Sequence, residues 1–414
     1  MRRSTALVIG GGVTGVGVAR DLAMRGVDVT LIERGGLSSG TSGRSHGLLH
    51  SGARYAEADP LGAEECIVEN RTLREIAGEC VADTGGFFVQ VDGDDRDYYE
   101  RKLRACRDLG IDAEDVDVEV ARNAVPDLAD DVVRVMRVPD AVVYPSRLVA
   151  ATAESAAEHG AEIRTHAPLE GLRVEDGRIV AADVGGSVGG RIEAEYVVNA
   201  AGAWAGRCAA LAGVEVRMRP TKGVMVSVDY PGLGPVLNRC RKPDDGDIVV
   251  PHESEAVLGT TSVEVDDPDE FDEEPWEVET TVEQCARMLP AVADAPVVRT
   301  WWGVRPLYAP DEEARREADE DARGISRDFV LLDHAAGGVE NFATIVGGKL
   351  TTYRGMAEAT ADLTCEKLGV EATCETMNER LPGADDPAAL DELVKKYDAR
   401  SPSDEDVVAE PDAR

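Results

Sequence analysis

Lysine is scarce in this 414-residue chain. Only seven of its 44 basic side chains are lysines: Lys102, Lys222, Lys242, Lys349, Lys367, Lys395 and Lys396. Positive charge of any kind is outnumbered, with 80 acids and a formal net charge of −36. Nucleic acid and anionic membrane surfaces both need a basic patch, so neither is expected as a partner. No stretch reaches the roughly 20 apolar residues of a membrane span, and no direct membrane span is expected. The eight cysteines contain no CxxC, and nothing near Cys365 and Cys374 completes a metal set. They read as buried thiols, with no metal. No internal repeat is found. The N-terminal apolar run reads as a strand and not as a signal peptide, which points to a cytoplasmic location.

The acids run through the whole chain, and the apolar fraction is an ordinary 43%. That excludes a disordered acidic protein. It fits a folded protein of a high-salt cytoplasm, where a Debye length of roughly 3 Å at 1 M salt screens self-repulsion. An acidic mesophilic enzyme is the alternative, and the shortage of lysine weighs against it.

What is present is concentrated at the start. Residues 6–34 read ALVIGGGVTGVGVARDLAMRGVDVTLIER. Ala6–Ile9 suits a buried strand, and Gly10, Gly12 and Gly15 fill GxGxxG at a strand-to-helix turn. Gly10 permits the tight turn, Gly12 lets backbone approach a pyrophosphate, and Gly15 lets the helix pack on the strand. The helix N-terminus offers N–H groups to phosphates. Val27–Ile32 forms the next strand, and Glu33 ends it where a carboxylate meets the 2′-hydroxyl of an adenosine ribose. Arg34 beside it serves either a 2′-phosphate or as a solvated surface charge, and the second is preferred.

Further along, residues 35–55 are small and polar, suited to an extended loop pressed along a ligand. Helices are expected at 61–82, 95–110, 117–124, 146–159 and 277–289. Strands are expected at 86–91, 162–165, 168–175, 178–184, 216–229, 297–309, 329–333 and 342–346. The charge run 266–274 reads as a solvated loop. Strand–glycine–helix junctions occur near residues 10, 202 and 348. In a doubly wound sheet such junctions gather at the carboxyl ends of the strands, where ligands bind. The last helix is expected from about Lys349 to Leu368, and the chain becomes polar from Asp385.

The strings VIGGGVTGVGVARDLAMRG, GTSGRSHGLLHSGARY, NRCRKP, GVRPL, SRDFVLLDH and GGKLTTYR occur in order over about residues 5–380. Together they resemble flavin-dependent glycerol-3-phosphate dehydrogenases, in particular the A subunit of the anaerobic enzyme. The resemblance implies an α/β fold (α+β overall). An FAD-binding Rossmann-like domain of the D-amino-acid oxidase/glutathione reductase type would carry a second, largely antiparallel substrate domain. Residues 1–60, 140–215 and 328–384 would form the discontinuous FAD-binding domain, 61–139 and 216–327 the substrate domain, and 385–414 a disordered polar tail. Gly10, Gly12, Gly15, Glu33 and Arg34 would serve the adenosine half of FAD. Thr41, Ser42 and Gly43 would lie along the isoalloxazine, Ala201 and Gly202 would close the site, and Gly347, Gly348, Lys349, Leu350 and Thr351 would face the flavin.

Glycerol 3-phosphate needs cations for its phosphate, a role to which arginine is suited. Arg305, then Arg54, then Arg327 are the candidates, with Tyr55 as a further donor. Pairing with one of the many carboxylates is the competing reading for each arginine. Arg354 reads as structural. Lys349 would stand near the substrate hydroxyls and flavin. His50 is chosen as the base, with His46 as competitor. Oxidation to dihydroxyacetone phosphate by hydride transfer to FAD is implied. Electrons would pass through partner subunits to a quinone, with attachment to the inner face of the membrane through those subunits. Longer members continue into a cysteine-rich region linked to iron–sulfur transfer, and no cluster is assigned to this chain. An amine or D-amino-acid oxidase of the same fold, or a non-catalytic flavoprotein, is the alternative.

Because so large a like charge must be screened, thermal stability and activity are expected to rise from low to molar KCl or NaCl. A melting temperature that fell steadily over that range would contradict the high-salt reading.

Overall fold

The apolar run at residues 6–9 ends a strand, Arg2–Ile9, buried from Ala6 onward in a computed structural model that describes residues 2–309 and 329–408. The chain turns at Gly10, whose φ is +113°, and enters the helix Val13–Met24. Two glycines are required here by close approach. A Cβ on Gly10 would stand 2.5 Å from the Ala200 carbonyl oxygen, and one on Gly15 would stand 1.9 Å from that of Gly10. Neither position has room for a side chain. The chain returns as Val29–Ile32, parallel to the first strand, with Ala6 opposite Val29 and Ile9 opposite Ile32.

Three more strands extend this unit into a parallel sheet. The order is Glu162–Arg164, Val29–Ile32, Arg2–Ile9, Gly190–Asn199, Phe342–Gly347. Antiparallel strands flank it. Leu169–Glu175 and Arg178–Val184 form a hairpin whose second strand pairs with the first residues of Gly190–Asn199, and Phe329–Asp333 pairs with Phe342–Gly347. Successive side chains of Arg2–Ile9 enter opposite cores: Ala6 and Val8 one, Leu7 and Ile9 the other. Burial on both faces explains why these strands read as continuous apolar runs. Helices Val13–Met24, Pro145–Glu158 and Tyr353–Leu368 cover the first face.

Among the described residues the second sheet has nine strands and is antiparallel except where Gly86–Val91 runs parallel to Val236–Arg239. Thr221–Asp229 is its hub, pairing with Glu255–Gly259, Val263–Glu264 and Val297–Arg305. A small sheet of Leu48–Leu49, Ala141–Val143 and Val81–Ala82 lies within the long polar loop's reach. Buried ion pairs tie the helices together. Arg354 donates to both oxygens of Glu69, at 2.6 and 2.9 Å, joining Tyr353–Leu368 to Pro60–Ile76. This is a structural role for Arg354.

Element ends differ from expectation for local reasons. The strand expected to 309 ends at Arg305, because Pro306 has no N–H for the ladder. The helix expected to 82 ends at Ile76, two residues before Gly78 with φ +47°. The last long helix begins at Tyr353, so Lys349 sits in the turn before it.

The largest difference lies at the C-terminal end, where 385–414 was expected to be disordered. Pro387–Lys396 is a helix, capped by the Asp386 carboxylate, which accepts the N–H groups of Ala388 and Ala389 at 3.0 and 3.3 Å. Leu390, Leu393, Val394 and Tyr397 follow i, i+3, i+4, i+7 spacing and join the core of the parallel-sheet unit. Arg147 pairs with Asp391 at 2.8 Å with both side chains buried. Beyond the helix, Ser401, Ser403 and Asp404 are also buried. Asp404 accepts the N–H and hydroxyl of Ser146 at 2.9 Å, at the start of helix Pro145–Glu158. Polar composition concealed a docked segment.

Leu390 is fully buried, so Leu390→Ala should destabilise the protein by about 2–5 kcal/mol. A thermal melt in molar KCl should show a lowered midpoint. An unchanged midpoint would mean that this helix does not dock.

Candidate active site

The three strand–glycine–helix junctions meet around one cavity of about 440 Å³. Gly10 and Gly12 come from the first turn, Glu33 and Arg34 from the end of the second strand, and Thr41 and Ser42 from the polar loop. Ala201 and Gly202 follow the strand Gly190–Asn199, and Gly347, Gly348, Lys349 and Leu350 follow the strand Phe342–Gly347. All of these are residues that the sequence singles out. Three other cofactor candidates do not line the cavity, nor do the substrate candidates His50, Arg54, Tyr55 and Arg305. Gly15 packs helix on strand. Gly43 is wedged in a turn, where a Cβ would stand 2.3 Å from the Ser38 carbonyl oxygen. Thr351 is buried, and its hydroxyl accepts the His50 N–H at 3.1 Å.

The wall suits a dinucleotide. Ser42 Oγ accepts the Val13 N–H at 3.0 Å, fixing the loop on the helix N-terminus, and Thr14 in the first turn faces the cavity. The Glu33 carboxylate accepts the N–H of Gly11 at 2.7 Å and of Gly35 at 2.9 Å, which pins it to the wall with lone pairs to spare for ribose hydroxyls. A Cβ on Gly12 would meet only Ser42 Oγ, at 3.1 Å. That single close contact is with the hydroxyl that holds the Val13 N–H, and Gly12 also lines the cavity. These residues fit FAD.

A rim cluster escaped sequence reasoning. Asp269 accepts from Arg34 at 2.8 Å, from the Trp204 indole N–H at 2.8 Å and from Arg207 at 2.8 Å, and all three partners line the cavity. The Arg34 guanidinium also lies 4.3 Å from the centre of the Trp204 ring. Partial burial opposes ionisation of Asp269, but hydrogen bonds from Arg34 and Trp204 and the two arginine charges hold its carboxyl below the usual range. Both expectations hold, with a contact added to each. Residues 266–274 form a largely exposed loop that Asp269 anchors on the nucleotide-binding unit, and the exposed Arg34 also pairs with that carboxylate. The signal available was Trp204, an aromatic two residues after a glycine turn.

The substrate candidates form a chain of contacts that starts and ends at the cavity. Pro306 lines the cavity, and Arg305 precedes it. Arg305 donates to the carbonyls of Lys222 and Thr261 at 3.3 and 3.0 Å and to the Thr260 hydroxyl at 3.3 Å. His46 lies beside neighbouring Gly259, 3.7 Å from where its Cβ would stand. Ring centres of His46 and His50 are 6.1 Å apart, and those of His50 and Tyr55 are 5.2 Å apart. The Lys349 ammonium lies 4.6 Å from the Tyr55 ring centre and 3.8 Å from Asp59 Oδ2, and Lys349 returns to the cavity wall. Arg54 pairs with buried Asp247 at 3.6 Å, so the carboxylate-pairing reading holds for it at least in part. Arg327 lies outside the described residues.

The two histidines differ. His46 Nδ1 accepts the Leu48 N–H at 3.2 Å, so a neutral His46 carries its proton on Nε2. His50 Nε2 stands 3.4 Å from the Tyr55 hydroxyl, a group able to give or accept a proton. Behind this loop, Asp140 accepts the Ser51 N–H at 2.8 Å and the Asn238 amide at 3.1 Å. Burial raises its carboxyl against those hydrogen bonds and the Arg54 charge. No described helix is long and apolar enough to cross a membrane.

Residues 5–363 match the model of the FAD dependent oxidoreductase family. The chain is 50% identical to the A1 subunit of the anaerobic glycerol-3-phosphate dehydrogenase of Haloferax volcanii, over 97% of this chain and 70% of that protein. It is 42% identical to the A subunit of the Escherichia coli anaerobic enzyme, over 94% of this chain and 71% of that protein. Among solved structures, glycine oxidase from Geobacillus kaustophilus superposes with TM-score 0.73 at 23% identity, covering 92% of this chain and 99% of that one. The L-α-glycerophosphate oxidase of Mycoplasma pneumoniae, solved with FAD bound, gives 0.70 at 18%, covering 91% and 97%. With the glycine turns, Glu33 and the third junction converging on one dinucleotide-shaped cavity, the chain belongs to the FAD-dependent oxidoreductases, alongside the A subunits of anaerobic glycerol-3-phosphate dehydrogenase.

Proposed function

We propose that this chain oxidises sn-glycerol 3-phosphate to dihydroxyacetone phosphate. One observation carries the reading. A histidine–tyrosine pair packs against Lys349, which lines the cavity, and Arg305 directly precedes Pro306, which also lines it, in a chain half identical to one chain of a glycerol-3-phosphate dehydrogenase. FAD, when bound, supplies a hydride acceptor. The residues do the rest. His50 takes the proton of the secondary hydroxyl at Nε2, and the Tyr55 hydroxyl beside it relays or holds that proton. The Lys349 ammonium, held over the Tyr55 ring and near Asp59, favours charge developing on the substrate oxygen. Arg305 and Arg54 hold the phosphate, with Arg327 as a further candidate. Gly347, Gly348 and Lys349 line the cofactor cavity in the turn before the helix Tyr353–Leu368.

The curated relatives are named as subunits, which supports an assembly in which electrons leave this chain for a partner protein of the complex and pass from there to a quinone. Attachment to the inner face of the membrane would come from such partners.

Purified protein should release FAD on denaturation, and its yellow band should bleach anaerobically on addition of glycerol 3-phosphate. Sarcosine, D-alanine and glycerol should bleach it slowly or not at all. Release of FMN alone would refute the dinucleotide reading, and bleaching by an amino acid but not by glycerol 3-phosphate would refute the substrate.

Arg305→Ala should keep FAD bound and raise KM for glycerol 3-phosphate. Loss of a charge-assisted bond worth about 1.5–3 kcal/mol corresponds to roughly tenfold to a hundredfold. An unchanged KM in the folded, flavin-loaded variant would remove Arg305 from the site.

A further inference from the structure

Lys102, in the helix Arg96–Asp108, is 1% exposed. Its ammonium meets carbonyls and ring faces. Nζ donates to the carbonyls of Ala53 at 3.0 Å and Arg54 at 3.2 Å, and lies 5.4 and 5.1 Å from the ring centres of Phe88 and Tyr98. Around it is an apolar cluster that includes Ala53, Phe88, Tyr98, Leu103 and Met136. A buried ammonium loses its hydration, and an apolar side chain of similar volume would pack there without that loss. What the charge holds is the reason to look further.

It holds the backbone of HSGARY, residues 50–55. Gly52 turns this segment at φ +93°, where a Cβ would stand 2.3 Å from the Ala63 carbonyl oxygen. The N–H groups of Tyr55 and Ala56 close on the Gly52 carbonyl at 2.9 and 3.1 Å. The next two carbonyls, of Ala53 and Arg54, are those that Lys102 binds. At its other end the Arg54 guanidinium meets Asp247, which also accepts from Arg241 at 2.9 Å. Arg54 is thus fixed at its main chain by Lys102 and at its head by Asp247.

We propose that Lys102 is a positioning residue for the substrate's phosphate: it clamps the Ala53 and Arg54 carbonyls, sets the direction in which Arg54 leaves the loop, and adds a buried positive charge behind an anion held by Arg54. This rests on the glycerol 3-phosphate reading of the site. The titratable groups facing the ammonium are Arg54 and Glu57 from the loop, Tyr98 and Cys106 from its own helix, and Cys240 after the strand Val236–Arg239. Burial pushes the Cys106 and Cys240 thiols up to about 11 and about 12 and the Tyr98 phenol higher still. Burial also pulls Lys102 below its ordinary 10.5. Where Lys102 loses its proton as pH rises, a positive charge leaves this cluster, and affinity for a dianion falls.

The test compares the FAD-loaded parent, Lys102→Met and Lys102→Arg. Calorimetry gives Kd for inorganic phosphate from about pH 8 upward, where the ion stays dianionic. Steady-state turnover with an artificial acceptor gives KM and kcat for glycerol 3-phosphate and for glycerol. Lys102→Met should raise the phosphate Kd and the glycerol 3-phosphate KM about tenfold or more while kcat and glycerol turnover stay within about threefold. A merely structural role would impair both substrates alike. Lys102→Arg should restore affinity and lack the parent's alkaline rise in Kd. If Lys102→Met does not fold, the alkaline profiles of parent and Lys102→Arg decide. Equal phosphate affinity in Lys102→Met and parent, or superimposable alkaline profiles in parent and Lys102→Arg, would overturn the role of Lys102 alone. A parent that neither binds phosphate nor is bleached by glycerol 3-phosphate would overturn the substrate reading, and the role of Lys102 with it.

Discussion

A buried polar backbone must find partners for its N–H and C=O groups, and the loop of residues 35–55 is where this requirement shapes the molecule. The loop has little apolar surface with which to pack itself, so its partners come from the rest of the chain. Gly11 accepts the Ser38 N–H, and Ser42 reaches back to Val13. Thr41 donates to the Val304 carbonyl at 2.6 Å, which ties the loop to the second sheet. Thr351 accepts from His50, Asp140 from Ser51, and Lys102 donates to Ala53 and Arg54. The C-terminal segment closes the set: Leu37 donates to the Tyr397 carbonyl, and Ser401 donates to that of Gly43. Segments from residue 11 to residue 401 thus converge on one loop that carries both cavity-lining side chains and the candidate substrate residues His50, Arg54 and Tyr55. A loop satisfied from so many sides is held in one arrangement, which a hydride-transfer geometry requires.

Charge is sorted by depth. Acids dominate the composition, yet the buried charges include many arginines and two lysines, several of them held by a carboxylate. Arg25 meets Asp21 at 2.9 Å, Arg147 meets Asp391, Arg354 meets Glu69, and Lys222 meets Glu277 at 2.5 Å. Removing one member of such a pair strands the other, so these positions resist exchange more than the exposed acids do. The exposed pairs at the cavity rim, centred on Asp269, are open to screening and contribute less to stability. The fold's integrity therefore rests on buried pairs, and the acidic exterior governs its response to salt.

The cavity wall was almost wholly legible in the sequence because glycine has a mechanical meaning. Gly10 and Gly15 stand where any Cβ would strike backbone, and Glu33 ends its strand at the expected place. The candidate substrate residues were legible as residue types but not as contacts. Nothing in the spacing showed that Asp247 would engage Arg54, that Thr351 would turn from the cavity to hold His50, or that Asp269 would gather Arg34, Trp204 and Arg207. Those contacts join residues far apart in the chain across the two sheets. The C-terminal helix was missed for another reason. Its i, i+3, i+4, i+7 apolar spacing was present in Leu390, Leu393, Val394 and Tyr397, but the polar residues between them masked the period.

The most direct test of hydride abstraction at this site is an isotope experiment. Stopped-flow bleaching of the flavin-loaded protein, under anaerobic conditions and in molar salt, would be followed with sn-glycerol 3-phosphate carrying either hydrogen or deuterium at C2. Bleaching should be slower with deuterium at C2 and unaffected by deuterium at C1 or C3. Equal rates for the two C2 isotopologues, with slowing by label at C1, would contradict oxidation of the secondary alcohol by the residues gathered around His50 and Lys349.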